Sequence, residues 1–103
     1  MQPMTITPEW DAPEKTRSEW ERLAADHIAA IGDMGLTPAQ DLQLACGLFL
    51  GLSLDELAAR MVLAPHVVKA RFRALRDGLL DRRGVFPLTA QEALVVALKR
   101  RLQ

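Results

Sequence analysis

The stretch that most constrains the fold of this 103-residue chain runs from Gly51 to Leu75. Ser53 followed by Glu56 forms a capping box, which starts a helix just before an apolar run. Pro65 ends that helix, because proline cannot continue it, but proline suits the first turn of a second helix. The stretch therefore predicts a helix–turn–helix, two short helices joined by a tight turn.

Each of these two predicted helices has one apolar face. In the first helix, the residues that share this face are Leu54, Leu57, Ala58 and Met61. In the second, apolar residues recur every three or four positions, at Val68, Phe72, Leu75 and Leu79. The opposite face of the second helix carries His66, Lys69, Arg73 and Arg76. A basic helix of this kind fits the DNA major groove, with its N-terminal side chains toward the base edges.

The charge of the chain is unevenly distributed. The net charge is zero at pH 7, but residues 60–83 hold seven basic and two acidic side chains, whereas residues 1–35 hold three basic and seven acidic ones. A local basic patch is the electrostatic footprint of phosphate binding. A row of arginines and lysines that only interacts with solvent produces the same pattern, so charge alone leaves both interpretations open.

A further helix is predicted before this stretch, over about residues 13–31. Two capping signals compete for its start, Asp11 with Glu14 and Thr16 with Glu19. Residues 1–13 are predicted to form an irregular arm, and residues 14–103 a single domain. The helix has an apolar stripe made of Trp20, Leu23, Ala24, His27, Ile28 and Ile31, in which His27 is expected to be a packed residue and not a ligand.

The next helix is predicted to open at Leu36-Thr37-Pro38. Thr37 is its N-cap, Pro38 its first helical residue and Gln40 the reciprocal cap. Apolar residues go nearly all the way round this helix, at Leu42, Leu44, Ala45, Cys46, Leu48, Phe49 and Leu50. Such a helix is expected to be buried on every side, as a central core helix between the N-terminal helix and the helix–turn–helix.

The last predicted helix covers about residues 90–102 and starts from a fourth capping box, Thr89 with Glu92. Before it, residues 80–88 form either a basic loop or a short wing with a strand at Val85 and Phe86. The helix has a seam of small and apolar residues, which either closes the core or pairs with a second copy. A homodimer through this helix or the N-terminal one is predicted, with the seam formed by Ala90, Ala93, Leu94, Ala97 and Leu98.

Several classes of function are disfavoured by the residues. The single cysteine excludes an internal disulfide and suits a reducing compartment. No apolar run approaches the ~18 residues of a membrane span, and the first residues lack a signal peptide, so a cytoplasmic protein is expected. No catalytic motif is present, and His27, Cys46 and His66 lie in separate segments. No enzymatic activity, metal or cofactor is expected.

Several short motifs follow one another in a family-like order: Leu36-Thr37-Pro38, Gly51-Leu52-Ser53, Glu56-Leu57-Ala58, then Pro65 and Val68-Lys69. Their order and spacing resemble the helix–turn–helix of LuxR/GerE-type regulators and, about equally, the promoter-binding C-terminal region of sigma factors. The segment QEALVVALKRRL at residues 91–102 is similar to the closing helix of the LuxR type, which often forms the dimer contact. Val62 departs from the family, which usually has glycine there.

The resemblance implies an all-α helix–turn–helix domain, with an additional N-terminal and C-terminal helix, that acts as a sequence-specific DNA-binding transcriptional regulator. It implies that Lys69 and Arg73 contact base edges or nearby phosphates, with His66 and Val67 at the helix start. Ala70 is short for a base-contacting position. The phosphate contacts that position the domain are then Arg71, Arg76, Arg82 and Arg83.

Two alternatives remain at this point. The same fold could be a protein-binding module that docks an acidic surface of RNA polymerase, a sigma factor or an anti-sigma protein through Arg71, Arg73 and Arg76. A winged-helix regulator of the MarR type is the other, because residues 77–83 followed by Leu88-Thr89 resemble its wing entry and the helix after it.

Overall fold

The computed structural model describes residues 15–103, which form five α-helices and, within that range, no strand. The predicted all-α class is confirmed. The proposed arm at residues 1–13 and the capping signal at Asp11 and Glu14 lie outside the described residues. The helices are α1 (Arg17–Ile31), α2 (Pro38–Phe49), α3 (Leu54–Met61), α4 (Pro65–Asp77) and α5 (Leu88–Arg100).

Capping boxes start the first three helices, as predicted. The Thr16 hydroxyl accepts a hydrogen bond from the Glu19 backbone N–H at 3.1 Å, and the Glu19 carboxylate accepts one from the Thr16 N–H at 2.8 Å. The bond from the Thr16 backbone is the main reason that the pKa of Glu19 lies below its ordinary value. The same reciprocal pairs start α2 and α3, at Thr37 with Gln40 and at Ser53 with Glu56.

The fourth predicted capping box is wrong. Helix α5 begins at Leu88, directly after Pro87, and has no side-chain cap. Thr89 therefore lies inside the first turn and not before it. The ring of Pro87 fixes its φ at −67°, and its extended backbone leads straight into the helix. A different side chain secures this start, because the Gln91 amide donates to the Phe86 carbonyl at 2.9 Å.

The helix at the centre of the domain is α5. It packs against α1 and α2, while α4 packs against α3 and α1. The buried residues of α1 are Trp20, Ala24 and Ile28. All five seam residues of α5 are at most 5% exposed, because the domain's own helices cover them. The α5 seam is therefore part of the core, and the prediction that it forms a dimer contact is wrong, whereas a homodimer through another face of the last or the N-terminal helix stays a prediction.

Helix α2 is not the all-round buried helix that its composition predicted. Phe49 is 43% exposed and Leu50, the residue after the helix, is 80% exposed. The reason is that α2 packs against α5 and α3 with one side, while α1 packs against α5 instead. Gly47 lies on the packed side, where a Cβ would overlap the Leu57 side chain.

The turn between α3 and α4 contains one residue in the left-handed conformation, and that residue is a valine, Val62. Val62 has φ 57° and ψ 44°. The Leu63 N–H donates to the Ala58 carbonyl at 2.9 Å and the Val62 N–H to the Ala59 carbonyl at 3.2 Å, the two bonds of a Schellman motif. This conformation costs a non-glycine residue about 1–2 kcal/mol. Val62 is 89% exposed, so packing does not offset that cost.

Residues 80–87 form a loop closed by Asp81, and no strand is found between residues 80 and 88. The Asp81 N–H donates to the Val85 carbonyl at 2.8 Å. Its carboxylate accepts from the N–H groups of Val85 and Arg83, at 2.9 and 2.8 Å. These bonds, with that of Val85 the largest cause, hold the pKa of Asp81 below its ordinary value. The segment is a tight loop and not a wing.

If the α5 seam belongs to the core, Leu94→Arg destabilises the domain strongly. An unpaired buried charge and a lost leucine together cost about 4 kcal/mol or more. Thermal unfolding followed by circular dichroism measures the change. The control is Leu102→Arg at a position that is 49% exposed, where the expected change is within about 0.5 kcal/mol. A folded Leu94→Arg chain with an unchanged melting temperature would contradict this packing.

Replacing Val62 with glycine should stabilise the protein. The relief of left-handed strain, about 1–2 kcal/mol, exceeds the entropic cost of an added glycine, about 0.4–1 kcal/mol. Ala59→Gly is the matched control, because Ala59 is an exposed residue inside α3 and loses about 0.5–1 kcal/mol there. Urea unfolding compares the two variants. A loss of stability in both would show that Val62 is not strained.

Candidate nucleic-acid interface

Helix α4 has one face in the core and another in solvent. Val68 and Leu75 are buried, and Phe72 is half-buried. Most of the predicted DNA-binding side chains of α4 are exposed, namely His66, Lys69, Ala70 and Arg73, while Val67 and Arg76 are half-buried. The structure therefore brings these residues together on a single helix. Arg82 and Arg83 are exposed on the loop that follows it.

Arg71 is the exception, because it is completely buried. Its Nε and Nη2 donate to Oδ1 and Oδ2 of Asp41 at 2.7 and 2.6 Å, and its Nη1 donates to the Gly32 carbonyl at 2.8 Å. Arg71 was predicted to contact phosphate, or an acidic partner surface in the alternative. Both predictions are wrong, since the guanidinium is inaccessible and already paired with a carboxylate.

The Arg71–Asp41 pair joins four helices. Asp41 lies in the first turn of α2, and Gly32 is the residue at which α1 ends. Arg101, directly after α5, places its Nη1 3.5 Å from the same carboxylate. The sequence held a signal for this role, because Arg71 stands three residues after Val68 and four before Leu75. That spacing puts it on the buried face of α4.

A second polar contact holds α4 against α1. His27 Nε2 donates to the Ala74 carbonyl at 2.6 Å, so His27 is a packed residue, as predicted. The Gly78 N–H bonds to the Arg76 carbonyl, which leaves the Ala74 carbonyl for the imidazole. A Cβ at residue 78 would overlap the His27 ring, so a glycine is required there.

The exposed cations are held by weak surface pairs. The guanidinium of Arg76 also lies over the Phe72 ring, 5.4 Å from its centroid. Within the described residues, Arg73 makes no ion pair. Exposed pairs contribute only about 0–1 kcal/mol, so they are easily exchanged for phosphate. The N···O distances of these surface ion pairs are 3.4 Å between Lys69 and Asp55, 3.0 Å between Arg76 and Asp77, and 3.2 Å between Arg83 and Asp81.

The described part of the chain offers neither a metal site nor a membrane-spanning helix. Over residues 15–103, no group of three or more His, Cys, Asp or Glu side chains is arranged to hold a metal ion. None of the five helices is long and apolar enough to cross a membrane. Cys46 is half-buried on α2. The exposed face of α4 is therefore the feature that carries the functional inference.

Comparison with known proteins gives no relative: no family model, no curated protein and no solved structure matches the chain.

Removing the Arg71 charge should destabilise the fold by about 3–5 kcal/mol, because the Asp41 carboxylate would stay buried without its main partner. Urea unfolding of Arg71→Met measures this. Adding Asp41→Leu should recover part of the loss, since both charges are then gone. Arg73→Met, two residues away and exposed, is the control and should change stability by no more than about 0.5 kcal/mol. Equal stability of Arg71→Met and wild type would contradict the role of the pair.

Proposed function

We propose that this chain binds double-stranded DNA as a transcriptional regulator, with the exposed face of α4 in the major groove. One observation carries the proposal: α4 buries its apolar face and presents His66, Lys69 and Arg73 to solvent. A helix needs this division of faces if it is to be supported from behind while its polar side chains contact base edges.

The connection between α3 and α4 supports the same function. Three residues, 62–64, join the two helices, and the helices pack against each other. A short tight turn before a basic second helix is the arrangement of helix–turn–helix proteins, to which the LuxR/GerE regulators belong. At 13 residues, α4 is about 20 Å long, and the major groove, about 12 Å wide, admits such a helix.

In this proposal the side chains divide into two roles. Lys69 and Arg73 contact base edges or the nearest phosphates, with His66 at the start of the helix. Ala70, which is exposed but short, leaves room for its longer neighbours and supplies an apolar contact for a thymine methyl. Phosphate contacts that set the position of the domain come from Arg76, Arg82 and Arg83.

A titration with duplex DNA at several salt concentrations tests this function. Each phosphate neutralised contributes about −0.9 to the slope of log affinity against log salt, so about four contacts give a slope of roughly −3 to −4. Arg73→Ala should weaken binding and make the slope shallower by about 1. Arg22→Ala, an equal charge change on the exposed side of α1, is the control and should leave the slope unchanged.

Absence of binding at low salt would contradict the proposal. The protein-binding alternative, in which the cationic face docks an acidic surface of the transcription machinery, would then be favoured. An equal effect of Arg22→Ala and Arg73→Ala would also contradict it, because the attraction would come from overall charge and not from α4.

A further inference from the structure

Arg73 points directly away from the core of the domain. It lies two residues after Arg71 and two before Leu75, and both of these neighbours are fully buried. Residues two apart on an α-helix are separated by about 200° around its axis. The directions of Arg71 and Leu75 therefore differ from that of Arg73 by about 160° on either side, which places Arg73 at the centre of the exposed face of α4.

Two further cations of α4 lie together on one side of Arg73. At about 100° per residue, Lys69 is about 40° away around the helix axis, and Arg76 is about 60° away in the same direction. Each has a carboxylate partner. Lys69 Nζ lies 3.4 Å from Asp55 Oδ1 near the start of α3, and Arg76 Nη2 lies 3.0 Å from Asp77 Oδ1. These two cations are therefore held along one edge of the exposed face.

The surroundings of Arg73 differ from those of both flanking cations. Over residues 15–103, no carboxylate forms an ion pair with it. Ala70, three residues earlier, lies about 60° to its other side and is exposed. The methyl group of Ala70 leaves space beside the longer arginine side chain. The Arg73 guanidinium is therefore exposed, with its N–H donors available to a ligand.

We propose that Arg73 is the specificity-determining residue of this face and that it binds guanine. The planar guanidinium donates two parallel hydrogen bonds, and guanine presents two acceptors, O6 and N7, in the major groove. None of the other three bases presents two acceptors there. The inference rests on the proposed function, because it names the base that the exposed face of α4 recognises.

Lys69 and Arg76 then bind phosphates. They are seven residues apart, or about 10 Å along the helix, on the same edge of α4. When a helix lies in the major groove, the centre of its exposed face is directed to the base edges, and its flanks lie nearer to the phosphates. Phosphate contacts position a domain without carrying sequence information. The two roles therefore follow from the positions of these side chains around the helix.

The chemistry of the flanking cations favours the same division. A lysine ammonium lacks the planar fork that matches guanine, and Lys69 would leave the Asp55 carboxylate if it entered the groove. Arg76 has the fork, but it is half-buried and its guanidinium lies over the Phe72 ring. Among the cations of α4, Arg73 combines the fork with exposure and, within the described chain, with the absence of an ion-pair partner.

Binding of guanine by Arg73 has a measurable effect on affinity. Replacing that guanine with another base should weaken binding of the wild type by about 5- to 140-fold. In Arg73→Ala the affinity should depend little on the base at that position. Lys69→Ala should instead weaken binding to every sequence by a similar factor and keep the preference for guanine. The charge of Arg73 still adds to the salt dependence, because the major groove lies between two rows of phosphates.

Selection from a pool of random DNA duplexes tests the proposal, with the full chain, Arg73→Ala and Lys69→Ala compared at one low salt concentration. We expect the wild type and Lys69→Ala to select the same guanine, and Arg73→Ala to select no base at that position. A duplex with 7-deazaguanine there, in which a C–H group replaces N7, should bind the wild type about tenfold more weakly and leave the affinity of Arg73→Ala unchanged. The same replacement at a guanine outside the selected site is the control.

The proposal would be overturned if Arg73→Ala kept the preference for guanine, if Lys69→Ala lost it, or if 7-deazaguanine weakened the wild type and Arg73→Ala equally. Binding of the pool without any preferred sequence would also overturn it, although DNA binding itself would then be supported. No binding of the pool at low salt would contradict the proposed function, and this inference with it. Both substituted residues are exposed, so neither variant is expected to lose its fold.

Discussion

The buried ion pair between Arg71 and Asp41 is the interaction on which the rest of the structure depends. Burying two charges is expensive unless every donor and acceptor is satisfied. Here the pair is bidentate, the Gly32 carbonyl accepts a further N–H, and Arg101 approaches the carboxylate from the end of α5. In the described chain, no buried side-chain nitrogen or oxygen lacks a hydrogen-bond partner. The pair therefore fixes α4 relative to three other helices.

The same constraint determines which side chains α4 offers to solvent. Residues two positions apart on an α-helix are separated by about 200° around its axis. Because Arg71 points into the core, Lys69 and Arg73 must point away from it, and both are exposed. Arg71 is buried and paired inside the fold, and this leaves Lys69 and Arg73 exposed to solvent. The chain has zero net charge although this helix is cationic, because most of its acidic side chains lie in residues 1–59.

Local features of the fold could be predicted from the sequence because their causes are local. The capping boxes at Thr16, Thr37 and Ser53 involve residues three positions apart, and all three are present. Thr89 has the same spacing to Glu92, but Pro87 lets the helix begin before it. Short-range patterns fail where a neighbouring residue offers an equally good start.

Packing partners could not be predicted in the same way. The apolar surface of α2 predicted a central position, but α5 takes that place: it buries Ala90, Ala93 and Ala97, and both α1 and α2 pack against it. The partner of Arg71 lies thirty residues away, at Asp41. Spacing on α4 indicates that Arg71 faces inward, but it does not indicate which carboxylate neutralises it. The sequence therefore predicted helix α4 correctly, while the placement of Arg71 on its exposed face was wrong.

We propose that α4, held from behind by Arg71, binds DNA with its outward face. Backbone amide signals of the full chain, recorded by NMR while a duplex of mixed sequence is added at low salt, test it most directly. We predict that the largest shifts fall on residues 65–76 and on Arg82 and Arg83, with small shifts on α1. Shifts centred on Lys99, Arg100 and Arg101, or no shifts at all, would contradict this mode of binding.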